Sequence, residues 1–302
     1  MITFLGMPDR TSGEIRGRQV AERLHLGHNS ARFVNVHNPN WDIIKQNRAA
    51  LFVRTWEGNL AKELNQQGFV VGYEVADMPV GDAVFRNAEV KDLSAYAHKE
   101  CSFFVVNNSI QKQDLQKVTD KPIYVIPHHT TNYDNVSAPF RTIPKKVGYV
   151  GLPEQLSGKS EIEKLCFEHN CEFVSVHPNT REDCDNVFRT LDIGIVFAES
   201  DSTMNAKVVE LMRRYKPNTK LSNFQAYGIP TICTPYESYK EHGGNACIFV
   251  DDLQSMLVSL KTMLTDTNKR LVLSNQSLAV GKQFHISKII DLYEKMVAEV
   301  LK

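Results

Sequence analysis

Short runs of β-branched and aromatic residues alternate along this chain with segments of helical periodicity. That alternation is typical of βαβ units, in which helices join parallel strands and cover the sheet. In the first half of the chain the predicted strands are 2–7, 32–37, 50–55, 69–75, 102–106 and 122–127. The predicted helices there include 14–24, 58–67, 92–100 and 109–118.

The segment 128–146, HHTTNYDNVSAPFRTIPKK, interrupts the pattern, and the alternation then begins again. It is polar, contains two prolines and follows neither period, which predicts a connection between two domains. Beyond it the predicted strands are 147–150, 172–177, 193–198, 231–234 and 247–250. The predicted helices are 159–169, 181–190, 204–214, 220–227, 253–264, 268–280 and 287–301.

The length agrees with this division, because 302 residues exceed what one hydrophobic core usually organises. The pattern therefore predicts an α/β chain of two Rossmann-like domains, residues 1–140 and 145–302, with the last helix counted in the second domain.

Net charge, the length of apolar runs and cysteine content limit the classes of function that this chain could have. Lys and Arg total 35, as do Asp and Glu, so the formal net charge is zero and gives no electrostatic argument for nucleic acid or an anionic membrane. The first residues lack the features of a signal peptide, and no apolar run is long enough for a membrane span. With six cysteines in a chain of this length, we expect reduced thiols and a cytoplasmic location.

The segment 216–235, KPNTKLSNFQAYGIPTICTP, carries the clearest chemistry. A short helix is predicted to end at Tyr227, where Gly228 stops it. Lys216 and Lys220 stand at its start, four positions apart. Helix N-termini favour anions, and lysines add mobile positive charge, so the segment predicts a diphosphate site.

This segment resembles the donor-site signature of nucleotide-sugar glycosyltransferases with the GT-B fold. It is most similar to a family 4-like subgroup, written loosely as K/R-P-x-x-K/R-L-x-N-x-x-A-G-x-P, and the residues that match are Lys216, Pro217, Lys220, Leu221, Asn223, Gly228 and Pro230. The resemblance extends over roughly residues 145–300 and is weak before them. Where many retaining members carry two glutamates, this chain has Tyr215 and Asn223, which leaves the stereochemical outcome open.

The resemblance implies two Rossmann-like domains that face a cleft, with the C-terminal helix returning toward the first domain. It also implies a UDP-sugar as co-substrate, with no separate cofactor and no metal. Donor contacts implied on the second domain are Tyr149, Gly151, Lys216, Lys220, Leu221, Ser222 and Asn223.

Two residues of the loop after the first strand complete the predicted donor site. Gly13 would permit a close backbone approach to the donor, and Arg16 would clamp a phosphate. The same loop also fits an ordinary helix start, with Thr11 or Ser12 as N-cap.

Polar residues at predicted strand ends give candidates for the acceptor side. Arg54, Glu57 and Asp77 follow predicted strands, and ligands of open α/β sheets collect at that edge. Asp77 is predicted to be the general base, and Lys220 the catalytic group for the leaving diphosphate. His128 and His129, at the domain junction, are further candidates, although a structural role suits them equally.

Three functions remain open from the sequence. The first is sugar transfer to the hydroxyl of a glycan or small molecule. The second is the same transfer to a hydroxymethylated DNA base, as in DNA-modifying enzymes of bacterial viruses. The third is a sugar-nucleotide epimerase of the same fold. Cys166, His169, Cys171, His177 and Cys184 lack the spacing of a zinc site, so no metal is predicted.

Overall fold

The chain folds into two compact units in a computed structural model that describes residues 2–26, 31–75, 98–198 and 206–302. The first unit comprises Met1–His128, Ala206–Pro217 and Ile286–Lys302, and the second comprises His129–Asn205 and Asn218–His285. The α/β class predicted from the pattern is confirmed. The units differ from the predicted contiguous ranges, because two segments from the second half of the chain belong to the first unit.

The first unit is built on a six-stranded parallel sheet with the order β2-β1-β3-β4-β5-β6. Strand order reverses at β1, which creates a topological switch point between β1 and β3. Inner strands are buried on both faces, as expected of continuous apolar runs in a parallel sheet. Its strands are β1 (Ile2–Gly6), β2 (Arg32–Asn35), β3 (Ala49–Val53), β4 (Val70–Val75), β5 (Phe103–Val106) and β6 (Ile123–Val125).

Helices cover both faces of this sheet, and their apolar side chains form two separate core clusters with it. A π-helical turn, Gly13–Arg18, leads directly into the first helix. The helices of this unit include α1 (Gln19–Leu26), α2 (Trp41–Ile44), α3 (Gly58–Gln66), α4 (Ser109–Leu115), α7 (Ala206–Tyr215) and α12 (Ile286–Val300). Val208 and Leu211 of α7 join the cluster around Phe52, whereas Ile289 and Met296 of α12 join the cluster around Phe4. The expected return of the C-terminal helix to the first domain is thereby confirmed.

The second unit has a five-stranded parallel sheet with the order β11-β10-β9-β7-β8. Its strands are β7 (Lys146–Val150), β8 (Glu172–Val176), β9 (Ile193–Val196), β10 (Thr231–Cys233) and β11 (Cys247–Phe249). Its helices include α5 (Lys159–Glu168), α6 (Arg181–Phe188), α8 (Thr219–Ala226), α9 (Glu237–Gly243), α10 (Leu253–Thr265) and α11 (Thr267–Gly281). None of the helices in the described ranges has the apolar length that a bilayer crossing requires.

Every predicted strand is present, and its ends differ from the prediction by at most two residues. The predicted helix at 92–100 lies largely outside the described residues. The short helix α2 was not predicted, because four residues are too few to show a helical period.

A buried polar cluster fastens α12 to the first sheet. Arg16 forms an ion pair with Glu74 on β4, and Tyr293 on α12 donates to the other Glu74 oxygen at 2.9 Å. The guanidinium also donates to the carbonyls of Pro127 (2.7 Å) and Ile126 (2.9 Å). Burial lowers the pKa of Arg16, but Glu74 and Tyr293 together outweigh that effect and raise the pKa, so the arginine stays charged.

Replacement of Glu74 by glutamine would leave the Arg16 charge buried without its counter-ion. Loss of one partner of a buried pair typically costs about 3–5 kcal/mol, so we expect Glu74→Gln to lower the free energy of unfolding by that amount. Urea titration of the purified protein measures it. The control is Glu22→Gln on the exposed side of α1, which should stay within about 0.5 kcal/mol of the native protein. A loss under 1 kcal/mol at Glu74 would contradict the structural role.

Candidate functional site

Lys220 meets the end of a strand from another part of the second unit. It lies in the first turn of α8, and its Nζ is 2.6 Å from the hydroxyl of Tyr149 on β7 and 3.3 Å from Oε1 of Gln155. The ammonium also stands 4.6 Å from the centre of the Tyr149 ring. Because a crossover helix that precedes a parallel strand starts at the carboxyl edge of the sheet, α8 begins where β7 ends.

Gly151, directly after β7, makes this approach possible. Its φ is +154°, and a Cβ atom placed there would lie 2.6 Å from Nζ of Lys220 and 3.1 Å from the Tyr149 hydroxyl. Its N–H donates to the carbonyl of Val176 at 2.8 Å, which fixes the turn to β8. A side chain at this position would therefore displace the lysine.

The Tyr149 side chain that contacts Lys220 is a neutral phenol. Its hydroxyl donates to the carbonyl of Leu152 at 3.1 Å and accepts from Lys220. Burial, with smaller contributions from Tyr236 and Glu154, raises the pKa of Tyr149 well above its ordinary value. Tyr149 and Gln155 are thus neutral partners that orient the ammonium without cancelling its charge.

The start of α8 adds main-chain donors to this charge. The first N–H groups of any α-helix lack partners within the helix, and they carry the positive end of its dipole. The side chains of Leu221 and Ser222 are buried, and Ser222 donates to the carbonyl of Thr219 at 3.2 Å. Their side chains therefore hold the helix in place, while the main chain of its first turn presents the chemistry that suits an anion.

Asn223 has an internal role. Its Nδ2 donates to the carbonyl of Thr219 at 2.9 Å, and its Oδ1 accepts from the N–H of Thr131 at 2.8 Å and from the Thr131 hydroxyl at 3.1 Å. An amide can donate and accept at once, which an ionised glutamate at this position could not do. Because both ends of the side chain are engaged, we do not propose Asn223 as a sugar contact.

Thr131 extends this network to α6. The carbonyl of Thr131 accepts from Arg181 at 3.1 Å, and its hydroxyl lies 3.3 Å from that of Tyr227. The Tyr227 hydroxyl donates to Asp185 at 2.6 Å, and the same carboxylate accepts from Arg189 at 2.8 Å. The connecting segment is therefore tied to both helices within the second unit.

Asp183 and Asp185 form an Asp-x-Asp pair, a pattern that sequence reasoning overlooked. Asp185 is occupied by the network with Tyr227 and Arg189. Within the described ranges, no group of three or more His, Cys, Asp and Glu side chains has the geometry to hold a metal ion. Burial raises the pKa of Cys166 to about 12 and that of Cys171 to about 11, so both thiols remain protonated.

The predicted phosphate contacts in the first unit serve its own packing. A Cβ at Gly13 would clash with the backbone of Met7, so the close approach at this glycine is to its own chain. Arg16 is 1% exposed and is engaged by Glu74 and two carbonyls. We therefore do not propose Arg16 as a phosphate ligand. The sequence could not show this, because the partner on β4 lies 58 positions away.

At the carboxyl edge of the first sheet, the structure brings together residues from two strand ends. Arg54, after β3, has a φ of +62°, and Glu57 lies 3.2 Å from Nδ1 of His37. His37 was not among the predicted candidates, although it ends the predicted strand 32–37 and the same edge rule would have found it. Asp77, the predicted base, lies outside the described residues.

The remaining candidates fall on either side of unit boundaries. Lys216 and His128 belong to the first unit, whereas His129 and Lys220 belong to the second. His128 is 5% and His129 2% exposed. Nδ1 of His129 lies 3.1 Å from the carbonyl of Thr130. Lys220 is therefore the predicted cation that the second unit carries at the carboxyl edge of its sheet.

Several solved structures match this chain over nearly its whole length. Sucrose-phosphate synthase from Thermosynechococcus elongatus matches with a TM-score of 0.66 at 11% identity, over 99% of this chain and 98% of that chain. HepE from Anabaena in complex with UDP matches with a TM-score of 0.62 at 9% identity, over 99% of both chains. HepE in complex with UDP-glucose matches with a TM-score of 0.61 at 10% identity, over 98% of this chain and 99% of that chain.

A glycosyltransferase from Rickettsia africae has a TM-score of 0.61 at 13% identity, over 100% of this chain and 98% of that chain. Neither a protein-family model nor a curated protein matches the sequence. At these identities the likeness establishes the fold, which is the two-domain GT-B fold that the sequence resemblance implied.

Substitution of Gly151 tests whether the turn after β7 makes room for Lys220. We expect Gly151→Ala to weaken UDP binding about tenfold or more, because the new methyl group takes the place of the ammonium. Isothermal titration calorimetry measures the change. Gly244→Ala is the matched control: it also has a positive φ, +52°, but an added Cβ has no neighbour within 4 Å. Equal UDP affinities in the two variants would show that the turn does not serve the ligand.

Proposed function

We propose that this chain is a glycosyltransferase that moves a sugar from a UDP-sugar to an acceptor hydroxyl and binds the diphosphate at the start of α8. The observation that carries the proposal is the contact of Lys220 with Tyr149 and Gly151 at the carboxyl end of β7. Ligands of open α/β sheets bind at this edge. The fold supports the donor class, since HepE, with the same fold, is in complex with UDP and with UDP-glucose.

Lys220 is the proposed catalytic group. When the bond between the sugar and the diphosphate breaks, negative charge develops on the leaving phosphate oxygen. A preorganised ammonium and the N–H groups at a helix start stabilise that charge more in the transition state than in the ground state. Tyr149 and Gln155 fix the ammonium before the donor arrives, so little reorganisation is needed at the moment of reaction.

Further roles are proposed for Lys216 and for two residues of the first sheet. Lys216 stays a candidate for a second phosphate contact, on the strength of the Lys-Pro-x-x-Lys spacing. Arg54 and Glu57, at the carboxyl edge of the first sheet, are proposed to lie on the acceptor side. The acceptor is a hydroxyl compound whose proton must be removed as the new glycosidic bond forms.

Lys220→Ala tests the diphosphate site. We expect turnover of the UDP-sugar to fall about a hundredfold or more, since removal of one preorganised group of this kind costs about 3–4 kcal/mol in the transition state. The measurement is UDP release from UDP-glucose and related UDP-sugars, with water as the acceptor. Lys240→Ala, on the exposed side of α9, is the control. Native turnover in Lys220→Ala, with the thermal midpoint preserved, would remove the proposed site.

The proposed reaction needs no divalent ion, because Lys220 and the helix start supply the positive charge at the diphosphate. We expect EDTA to leave UDP release unchanged and added Mg²⁺ or Mn²⁺ to raise it less than twofold. The same UDP-release assay measures both. A tenfold or larger activation by either ion would contradict metal-independent transfer.

A further inference from the structure

A small cavity in the second unit lies at the end of α8 that is remote from Lys220. Its volume is about 150 Å³, and Ala226, the last residue of α8, is one of the residues that line it. Ala226 stands six positions after Lys220. At 1.5 Å per residue this places the two about 9 Å apart along the helix. The cavity is therefore distinct from the diphosphate site.

The segment 130–137 forms one wall of the cavity and is fixed to α8. Asn132 uses both ends of its side chain for this purpose. Its Nδ2 donates to the carbonyl of Ala226 at 2.8 Å, and its Oδ1 accepts from the N–H of Val136 at 3.0 Å. The wall is thus held in place without a ligand.

Thr130 contributes a buried hydroxyl to this wall. The residue is 1% exposed, and its Oγ1 has no hydrogen-bond partner within the described parts of the chain. Its main chain is engaged, since its N–H donates to the carbonyl of Phe284 at 2.9 Å and its carbonyl lies 3.1 Å from Nδ1 of His129. A buried hydroxyl without a partner is uncommon and destabilising, and a ligand oxygen in the cavity would supply that partner.

Lys282, directly after α11, brings a positive charge to the cavity. It is exposed and forms no ion pair with any residue that the structure describes. None of the described residues that line the cavity is acidic, and the nearby Asp134 pairs instead with Arg189 at 3.7 Å. His285 also lines the cavity, and its Nε2 donates to the carbonyl of Tyr133 at 3.0 Å. The charge at the cavity is therefore positive.

Two helices end at the cavity, and carbonyls at both ends are engaged within the protein. The carbonyl of Ala226, at the end of α8, accepts from Asn132. At the end of α11 the N–H of Lys282 bonds to the carbonyls of Leu278 and Val280. Free carbonyls at a helix end would favour a cation, but these carbonyls already have their donors.

The groups that remain indicate an oxyanion. Four of them can donate a hydrogen bond and have no partner among the described residues: the hydroxyls of Thr130 and Ser137, the amide of Asn135 and the ammonium of Lys282. A phosphate group offers several oxygens that accept such bonds. A cavity of about 150 Å³ holds a molecule the size of benzene, so the five heavy atoms of phosphate fit whereas a nucleotide does not.

We propose that this cavity binds a phosphate group, either free phosphate or the phosphate of a small ester. Lys282 supplies the opposite charge, and the neutral donors of Asn135 and Ser137 orient the oxygens. The hydroxyl of Thr130 gains the partner that it lacks within the protein. Because Lys282, Asn135 and Ser137 are exposed, the ligand enters directly from solvent. The site does not depend on the proposed sugar transfer.

Isothermal titration calorimetry in a phosphate-free buffer tests the site. The protein is the full chain with Lys220→Ala, which removes the cation of the proposed diphosphate site. The titrants are inorganic phosphate, glycerol 3-phosphate and, as a neutral molecule of similar size, glycerol. We expect phosphate to bind with a Kd of about 1 mM or tighter and glycerol to give no heat of binding. Tighter binding of glycerol 3-phosphate would support an ester as the ligand, and tighter binding of inorganic phosphate would support free phosphate.

Lys282→Gln and Thr130→Val, each added to Lys220→Ala, test the lining residues. We expect each to weaken phosphate binding about tenfold. The matched control is Lys269→Gln, which removes another exposed lysine of α11 and should keep the Kd within about twofold. In the absence of phosphate, Thr130→Val should not lower the thermal midpoint, because the hydroxyl that it removes has no partner to lose.

Absence of phosphate binding, or equal affinities for phosphate and glycerol, would overturn the inference. Equal phosphate affinities in Lys282→Gln and Lys269→Gln would also overturn it, as would a lower thermal midpoint of Thr130→Val without phosphate. The same comparisons in the otherwise native chain apply where Lys220→Ala does not fold. These outcomes leave the proposed sugar transfer untouched, since that proposal is tested by UDP release.

Discussion

Parallel strands end at one edge of their sheet, and both units depend on this constraint. In the second unit it brings Gly151, at the end of β7, against Lys220, at the start of a helix 69 positions later in the chain. In the first unit it brings His37 against Glu57. Neither pair is close in sequence, and each exists only because every strand of its sheet runs the same way. The parallel topology of each sheet therefore determines which polar residues lie together.

Burial decides which polar residues are available for a ligand. Arg16 and Asn223 have the right chemistry for a phosphate or a hydroxyl, but each is consumed inside its own unit. A charge removed from water must be paired and hydrogen-bonded, or its cost exceeds what any ligand contact could return. Arg16 satisfies this requirement with Glu74 and thereby fastens the terminal helix, so the same guanidinium cannot also remain exposed to a phosphate.

The sequence predicted what local patterns determine. Strand positions follow from short β-branched runs, and Lys220 follows from the spacing of a helix start and a glycine stop. It did not predict that Ala206–Pro217 belongs to the first unit, because the helical period of α7 shows an apolar face but not which sheet that face covers. It missed His37 because the edge rule was applied to later strand ends only. The internal roles of Arg16 and Asn223 depend on partners distant in the chain, which no local pattern contains.

The neutral character of Tyr149 matters for how Lys220 could act. Two opposite charges 4 Å apart attract by about 4 kcal/mol at the effective dielectric of a protein surface. If a carboxylate stood beside Lys220, a diphosphate would have to break that ion pair in order to bind. The attraction lost with the carboxylate would then offset most of the attraction gained with the diphosphate. A phenol whose pKa burial holds far above neutrality offers geometry without charge. Tyr149 therefore does not compete with a diphosphate for the charge of Lys220, which is why a buried tyrosine suits this position better than an acid.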